Sequence, residues 1–242
     1  MRKAWMVVLL SLAATPAFAT TLVTCGPPCP DAAQNAFKAV SEDAVAIIDY
    51  KALEPAASTG LVSLGLGVQA TYLPVKKSDW AAVSDKTDLS GIGAVGVQVV
   101  KGLPLDVDVG AFYSAVPTAG IKVYGGELRY AILAGSAVSP ALSIGGSYVK
   151  MTGVDKLDLH SSSLDLRASK GFTLVTPYVG VGYVKGVSDP DASTNFKKVD
   201  VNKTKAYIGA RFSLGFFDIV PEVGEVGKDI LYNLKLGFSF SL

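Results

Sequence analysis

Leu234-Lys235-Leu236-Gly237-Phe238-Ser239-Phe240-Ser241-Leu242 closes the chain and alternates without a break. Successive side chains of a strand point to opposite faces, so Leu234, Leu236, Phe238, Phe240 and Leu242 share one face. Lys235, Gly237, Ser239 and Ser241 share the other. A soluble sandwich would bury that apolar face against a second sheet. In a membrane barrel, lipid takes it instead, and a polar lumen takes the small residues and the lysine.

The same two-residue period recurs from Gly60 onward, punctuated by turn signals. Near 61–72, Val62, Leu64, Leu66, Val68 and Ala70 oppose Ser63, Gly65, Gly67, Gln69 and Thr71. A second strand covers about 91–101 and ends at the Gly102-Leu103-Pro104 turn. In a third, Leu105, Val107, Val109 and Ala111 oppose Asp106, Asp108 and Gly110. In a fourth, Tyr124, Leu128, Tyr130 and Ile132 oppose Glu127 and Arg129. Further strands fall near 140–150, around Leu164 to Arg167, at 176–183, around Lys205 to Phe212 and near 216–223, before the terminal one. The count is ten, within a range of 8 to 12, and the fold class is all-β: a closed antiparallel transmembrane barrel.

Connection lengths point the same way. With both chain ends on the periplasmic side, long external loops should alternate with short turns. The connections at 73–90 and 187–202 are long, those at 102 and 215 tight, and every odd connection is at least as long as its even neighbours. The mean hydropathy is high, +0.38. Yet beyond the first residues no run approaches the ~20 apolar residues of a spanning helix.

The N-terminal end reads as an export signal over 1–19. Arg2 and Lys3 precede the apolar run Ala4 to Ala13, and Ala17-Phe18-Ala19 is a small-x-small cleavage site. Without Arg2 and Lys3 the formal charge moves from +1 to −1, so no nucleic-acid partner is expected.

Residues 20–59 are a different kind of segment from the barrel of 60–242, because 24 of the 25 glycines lie from Gly60 onward. Pro30-Asp31 looks like a helix start, and Phe37, Val40, Ala44, Ile47 and Ile48 recur at helical spacing. Gln34, Lys38, Glu42 and Asp43 oppose them, and Leu53-Glu54-Pro55 ends the run. The spacing predicts an amphipathic helix, with a break near Ser41, at the periplasmic mouth or folded into the lumen as a plug; a simple lead-in is the alternative. Cys25 and Cys29 are the only cysteines, and in an exported chain they read as a small disulfide loop. No metal site and no cofactor is expected, since His160 is the only histidine and stands far from them.

On this phase the lumen holds Asp106, Asp108, Glu127, Arg129, Asp165, Arg167, Lys205, Arg211, Asp218, Glu222 and Lys235. Charges withdrawn from water must be paired or wetted. They therefore form either an ion-pair network that fills the barrel or the lining of a narrow polar pore passing a small solute. The inward glycines keep some lumen volume open.

Four resemblances add to this. The terminal stretch resembles the C-terminal insertion signal of bacterial outer-membrane barrels, with Phe240 third from the end, which implies outer-membrane lipid and the barrel-assembly machinery as partners. The chain from 60 to 242 resembles small barrels of the OmpA/OmpW-like class. Asp49-Tyr50-Lys51-Ala52-Leu53-Glu54-Pro55-Ala56, followed at once by the first strand, looks like the lead-in of uncharacterised proteobacterial outer-membrane proteins. Finally, His160 and Ser162 share the lipid-facing side of one strand, which faintly resembles lipid A deacylases, with His160 as base and Ser162 as nucleophile. No acidic partner for His160 is identifiable in the sequence, and no catalytic residue is assigned.

Overall fold

The computed structural model describes residues 20–83, 90–117, 119–136 and 138–241; the expected export signal lies outside them. Ten strands follow one another: β1 (Ser63–Pro74), β2 (Gly91–Leu103), β3 (Val107–Val116), β4 (Ile121–Leu133), β5 (Ala141–Thr152), β6 (Leu157–Ser169), β7 (Val175–Pro190), β8 (Val199–Leu214), β9 (Phe217–Val226) and β10 (Asp229–Ser241). Each pairs antiparallel with its sequence neighbour, and β10 returns to β1 through Tyr232 opposite Tyr72 down to Ser241 opposite Ser63. Closure leaves no edge strand.

The terminal strand shows why the period works. Leu231, Asn233, Lys235 and Gly237 are buried, whereas Ile230, Tyr232, Leu234, Leu236 and Phe238 are exposed. Leu242 and the side chain of Phe240 lie outside the described residues, although the Phe240 backbone pairs with Leu64. Leu66, Val68, Val97, Leu128, Leu164, Val181 and Ile208 continue the outward apolar face on other strands. So much exposed apolar surface on one closed sheet is what lipid covers and water does not. Outward tyrosines ring one end of this band (Tyr72, Tyr113, Tyr124, Tyr148, Tyr183 and Tyr232), and Tyr130, Phe212 and Phe238 mark the other. These are the aromatic girdles of a membrane barrel. No helix among the described residues is long and apolar enough to cross a membrane, which says nothing of a barrel.

Ahead of the barrel, α1 (Asp31–Ile48) is one unbroken helix, and α2 (Lys77–Val83) lies in the first connection. The expected break at Ser41 is absent: the Ser41 hydroxyl donates to Ser188 Oγ, 3.0 Å away on β7. The helix also stops at Ile48, five residues before Leu53. There Lys51 Nζ caps it by donating to the carbonyl of Ala46 at 2.9 Å, a cation at the negative end of the helix dipole.

Two expectations about the ends are corrected. The helix does not share the mouth at which the terminal strand ends, as two chain ends on one side would require. It packs inside the end of the barrel that carries the odd-numbered connections, with Phe37 stacked on Phe196 of the β7–β8 connection at 4.7 Å. Thr20–Thr21 pair with Val154–Asp155, in the β5–β6 connection at that same end. From Asp49 the chain threads the lumen to the other end, where Thr59 reaches Asp108 and β1 begins. The two ends of the described chain are therefore at opposite mouths. The loop-length rule also fails as stated: 134–140, an even connection, is longer than 117–120 and 153–156 on either side of it. The ladders at the odd end run on above the tyrosine girdle and take up residues that would otherwise be loop.

Candidate functional site

The lumen is where the chain gathers its chemistry. Asp108, Glu127, Arg129, Asp165, Arg167, Lys205, Asp218, Glu222 and Lys235 are buried on the inner face, and Arg211 is half-buried there. Asp106 is the exception: β3 begins at Val107, and Leu105 and Asp106 form the preceding turn with left-handed φ of 63° and 57°, leaving Asp106 exposed to solvent.

Three knots hold the plug segment to the wall. At the end where β1 begins, Arg129 donates through Nη2 to Asp108 Oδ2 at 2.5 Å and through Nη1 to the Pro55 carbonyl at 3.0 Å. Asp108 also accepts the Thr59 amide at 3.0 Å, and Ser169 Oγ accepts the Ala56 amide at 3.0 Å. At mid-lumen, Glu54 takes the ammonium of Lys235 and, at 3.3 Å, Arg211 Nη1. Towards the helix, Lys205 Nζ sits 2.9 Å from Asp49 and 2.8 Å from Asp165. Around these, Arg167 pairs with Glu127 at 3.2 Å and donates to the Tyr207 hydroxyl at 3.0 Å. Tyr178 and Asn233 both donate to Glu222, at 2.8 and 3.0 Å.

Sequence reasoning missed the plug's share of this network: Asp49, Tyr50, Lys51 and Glu54. The one available signal was their concentration in the polar stretch before the first strand. It also misjudged the inward glycines. A Cβ on Gly186 would lie 2.3 Å from Val45 of α1, and one on Gly110 would lie 2.4 Å from the Tyr50 hydroxyl. These glycines are sockets for the plug. One polar cavity in the lumen, about 20 Å³ and bordered by Asp49, Lys51, Asp165, Arg167 and Glu222, fits a water-sized guest and nothing larger.

Elsewhere, Cys25 and Cys29 are joined as a disulfide. No group of His, Cys, Asp and Glu among the described residues could hold a metal ion. His160 and Ser162 both point outward. His160 Nδ1 lies 3.3 Å from Asp158 Oδ1, on the opposite side of His160 along the strand from Ser162. Asp158 is the acidic neighbour that the sequence left unnamed, and it also binds Lys150 at 3.0 Å. The backbone around Ser162 is engaged in ladders to β5 and β7, so an oxyanion there would have no free amide pair.

No family model and no curated protein matches the chain. Among solved structures, the N-terminal β-barrel domain of Pseudomonas aeruginosa OprF is 13% identical, with 75% of this chain and 99% of that one covered and a TM-score of 0.39. The β domain of the Bordetella autotransporter BrkA is 10% identical over 75% and 100%, with a TM-score of 0.43. LpxR from Salmonella typhimurium is 10% identical over 73% and 99%, with a TM-score of 0.36.

Proposed function

We infer that this protein is a sealed outer-membrane barrel whose role is structural: a lipid-embedded wall that holds residues 20–48 at its outer mouth. The supporting observation is the path of Asp49–Thr59. This segment occupies the lumen along its length and is tied by side chains to β3, β4, β6, β8 and β10. Passage of a small solute would require those ties to break together, because breaking one side of a buried ion pair costs ~3–5 kcal/mol. The apolar outer face, the two aromatic girdles and the terminal alternation support placement in the outer membrane, with the odd connections outside. The disulfide loop, exposed at Gly26-Pro27-Pro28, then faces the exterior.

Planar-bilayer recording tests the reading. The wild-type protein should give no steady single-channel current, whereas an ohmic conductance from unmodified protein would replace the sealed barrel with a narrow pore.

A further inference from the structure

On β4, β5 and β7 the outward face repeats one pattern. A girdle tyrosine is followed two residues nearer the outer mouth by a lysine: Tyr124 and Lys122, Tyr148 and Lys150, Tyr183 and Lys185. On β6, between β5 and β7, His160 takes the lysine's place, directly opposite Lys150. The other girdle tyrosines have no cation there. Tyr72 is followed by Pro74, Tyr113 by Ala115, and Tyr232 has Ile230 at the equivalent position. The nearest outward groups on β8 and β9 are Asp200, Asn202 and Glu225. Girdle tyrosines thus stand on six of the ten strands, but outward Lys or His lies just beyond the girdle on four adjacent strands only.

Two residues of strand is ~7 Å, the step from the acyl boundary marked by the tyrosines into the headgroup layer. Neighbouring strands hold these side chains ~5–8 Å apart, close enough for one multiply charged headgroup to meet several. Asp158 binds Lys150 at 3.0 Å and His160 at 3.3 Å and fixes both. Lys122 and Lys185 are exposed, and among the described residues neither pairs with an acid. A scatter of lysines reaching for water would not need to be confined to one side.

We propose that Lys122, Lys150, His160 and Lys185 form a binding arc for the phosphates of an outer-leaflet lipid headgroup, with Tyr124, Tyr148 and Tyr183 flanking its acyl chains. Each lysine near an anionic lipid surface contributes about fivefold in affinity, so removing two should cost about 25-fold.

Native mass spectrometry of the full chain in phosphatidylcholine nanodiscs doped with lipid A provides the test. The expected result is selective retention of phosphorylated over dephosphorylated lipid A, weakened about 25-fold in Lys150→Gln/Lys185→Gln and in Lys122→Gln/Lys185→Gln. Lys198→Gln, at the same end but off the arc, should leave retention unchanged. Equal retention of the two lipids, an equal loss with Lys198→Gln, or thermal protection by inorganic phosphate without lipid would each overturn the proposal. Folding of every variant is checked by its faster gel mobility before boiling.

Discussion

Replacing Glu54 with Ala removes the plug's central tie. Its carboxylate is bonded to Lys235 and lies 3.3 Å from Arg211, and the Lys235 side chain is only 4% exposed. Without Glu54, Lys235 keeps only Gln98 Oε1 at 3.5 Å, so a buried ammonium is left without a counter-charge. Arg211, 30% exposed, can turn to water and adds little, as surface pairs contribute ~0–1 kcal/mol. The loss is therefore dominated by Lys235, and the one-sided break of a buried pair sets it at ~3–5 kcal/mol. Denaturant titration of the protein in liposomes, read by heat-modifiable gel mobility, measures the loss. Adding Lys235→Met should restore most of it, because an apolar stem replaces the orphaned charge and the two changes couple through one contact. A Glu54→Ala variant within ~1 kcal/mol of wild type, with no recovery in the double variant, would refute the reasoning.

Two further outcomes follow from the outer face and the mouth. Leu236→Lys, on the lipid face between the Tyr232 and Phe238 girdle positions, should lower barrel stability by ~2–4 kcal/mol, and Phe238→Lys by less because it sits nearer the interface; urea titration in vesicles gives the order. At the mouth, burial pushes the Asp43 carboxyl up to about 6, against the pull of the Trp80 N–H bond and Lys228 and with a further push from Asp229 and Asp79. Between pH 3.8 and about 6 the unfolded chain ionises first, so stability falls across that window as pH rises. Asp43→Asn should accordingly stabilise the protein by ~1–2 kcal/mol at pH 8 and change nothing at pH 4, measured as thermal unfolding at the two pH values.

Ten strands were legible because alternate residues face opposite sides of one sheet and lipid demands apolar ones outside; around α1 the inner face is apolar too, as at Val149, Leu159 and Val184. The strand phase placed Asp108, Glu127, Arg129, Asp165 and Arg167 on the inner face, but it could not assign their partners. Arg129 meets Asp108 on the adjacent strand, and Lys205 reaches Asp49 across 156 residues of chain. Asp106 was misplaced because alternation was carried back through a turn, where left-handed φ values at Leu105 and Asp106 break the phase. The path of Asp49–Thr59 was illegible for a different reason. An irregular segment surrounded by wall contacts the strands through single residues, so it carries no period. The socket at Gly110 read as open volume, but Tyr50 occupies it.

The wall's own charge pattern argues that the plug is part of the fold and not a removable gate. About eight strands give an interior that side chains alone can fill, so ten leave space for backbone. The inner wall is built around that backbone. Lys205 would retain only Asp165 of its two carboxylates, and Lys235 and Arg211 would lose the carboxylate that both bind. Asp108 would keep Arg129 but lose the Thr59 amide and the Ser58 hydroxyl. Withdrawing residues 49–59 would thus leave Lys235 without its carboxylate and Lys205 with one of its two, at a cost of several kcal/mol unless water entered to replace the lost partners. A gate has to leave two states within a few kcal/mol of each other. Here Lys235 and Arg211 pair with an acid that the plug supplies, Lys205 takes one of its two from it, and the closed lumen is the state in which both halves are paired.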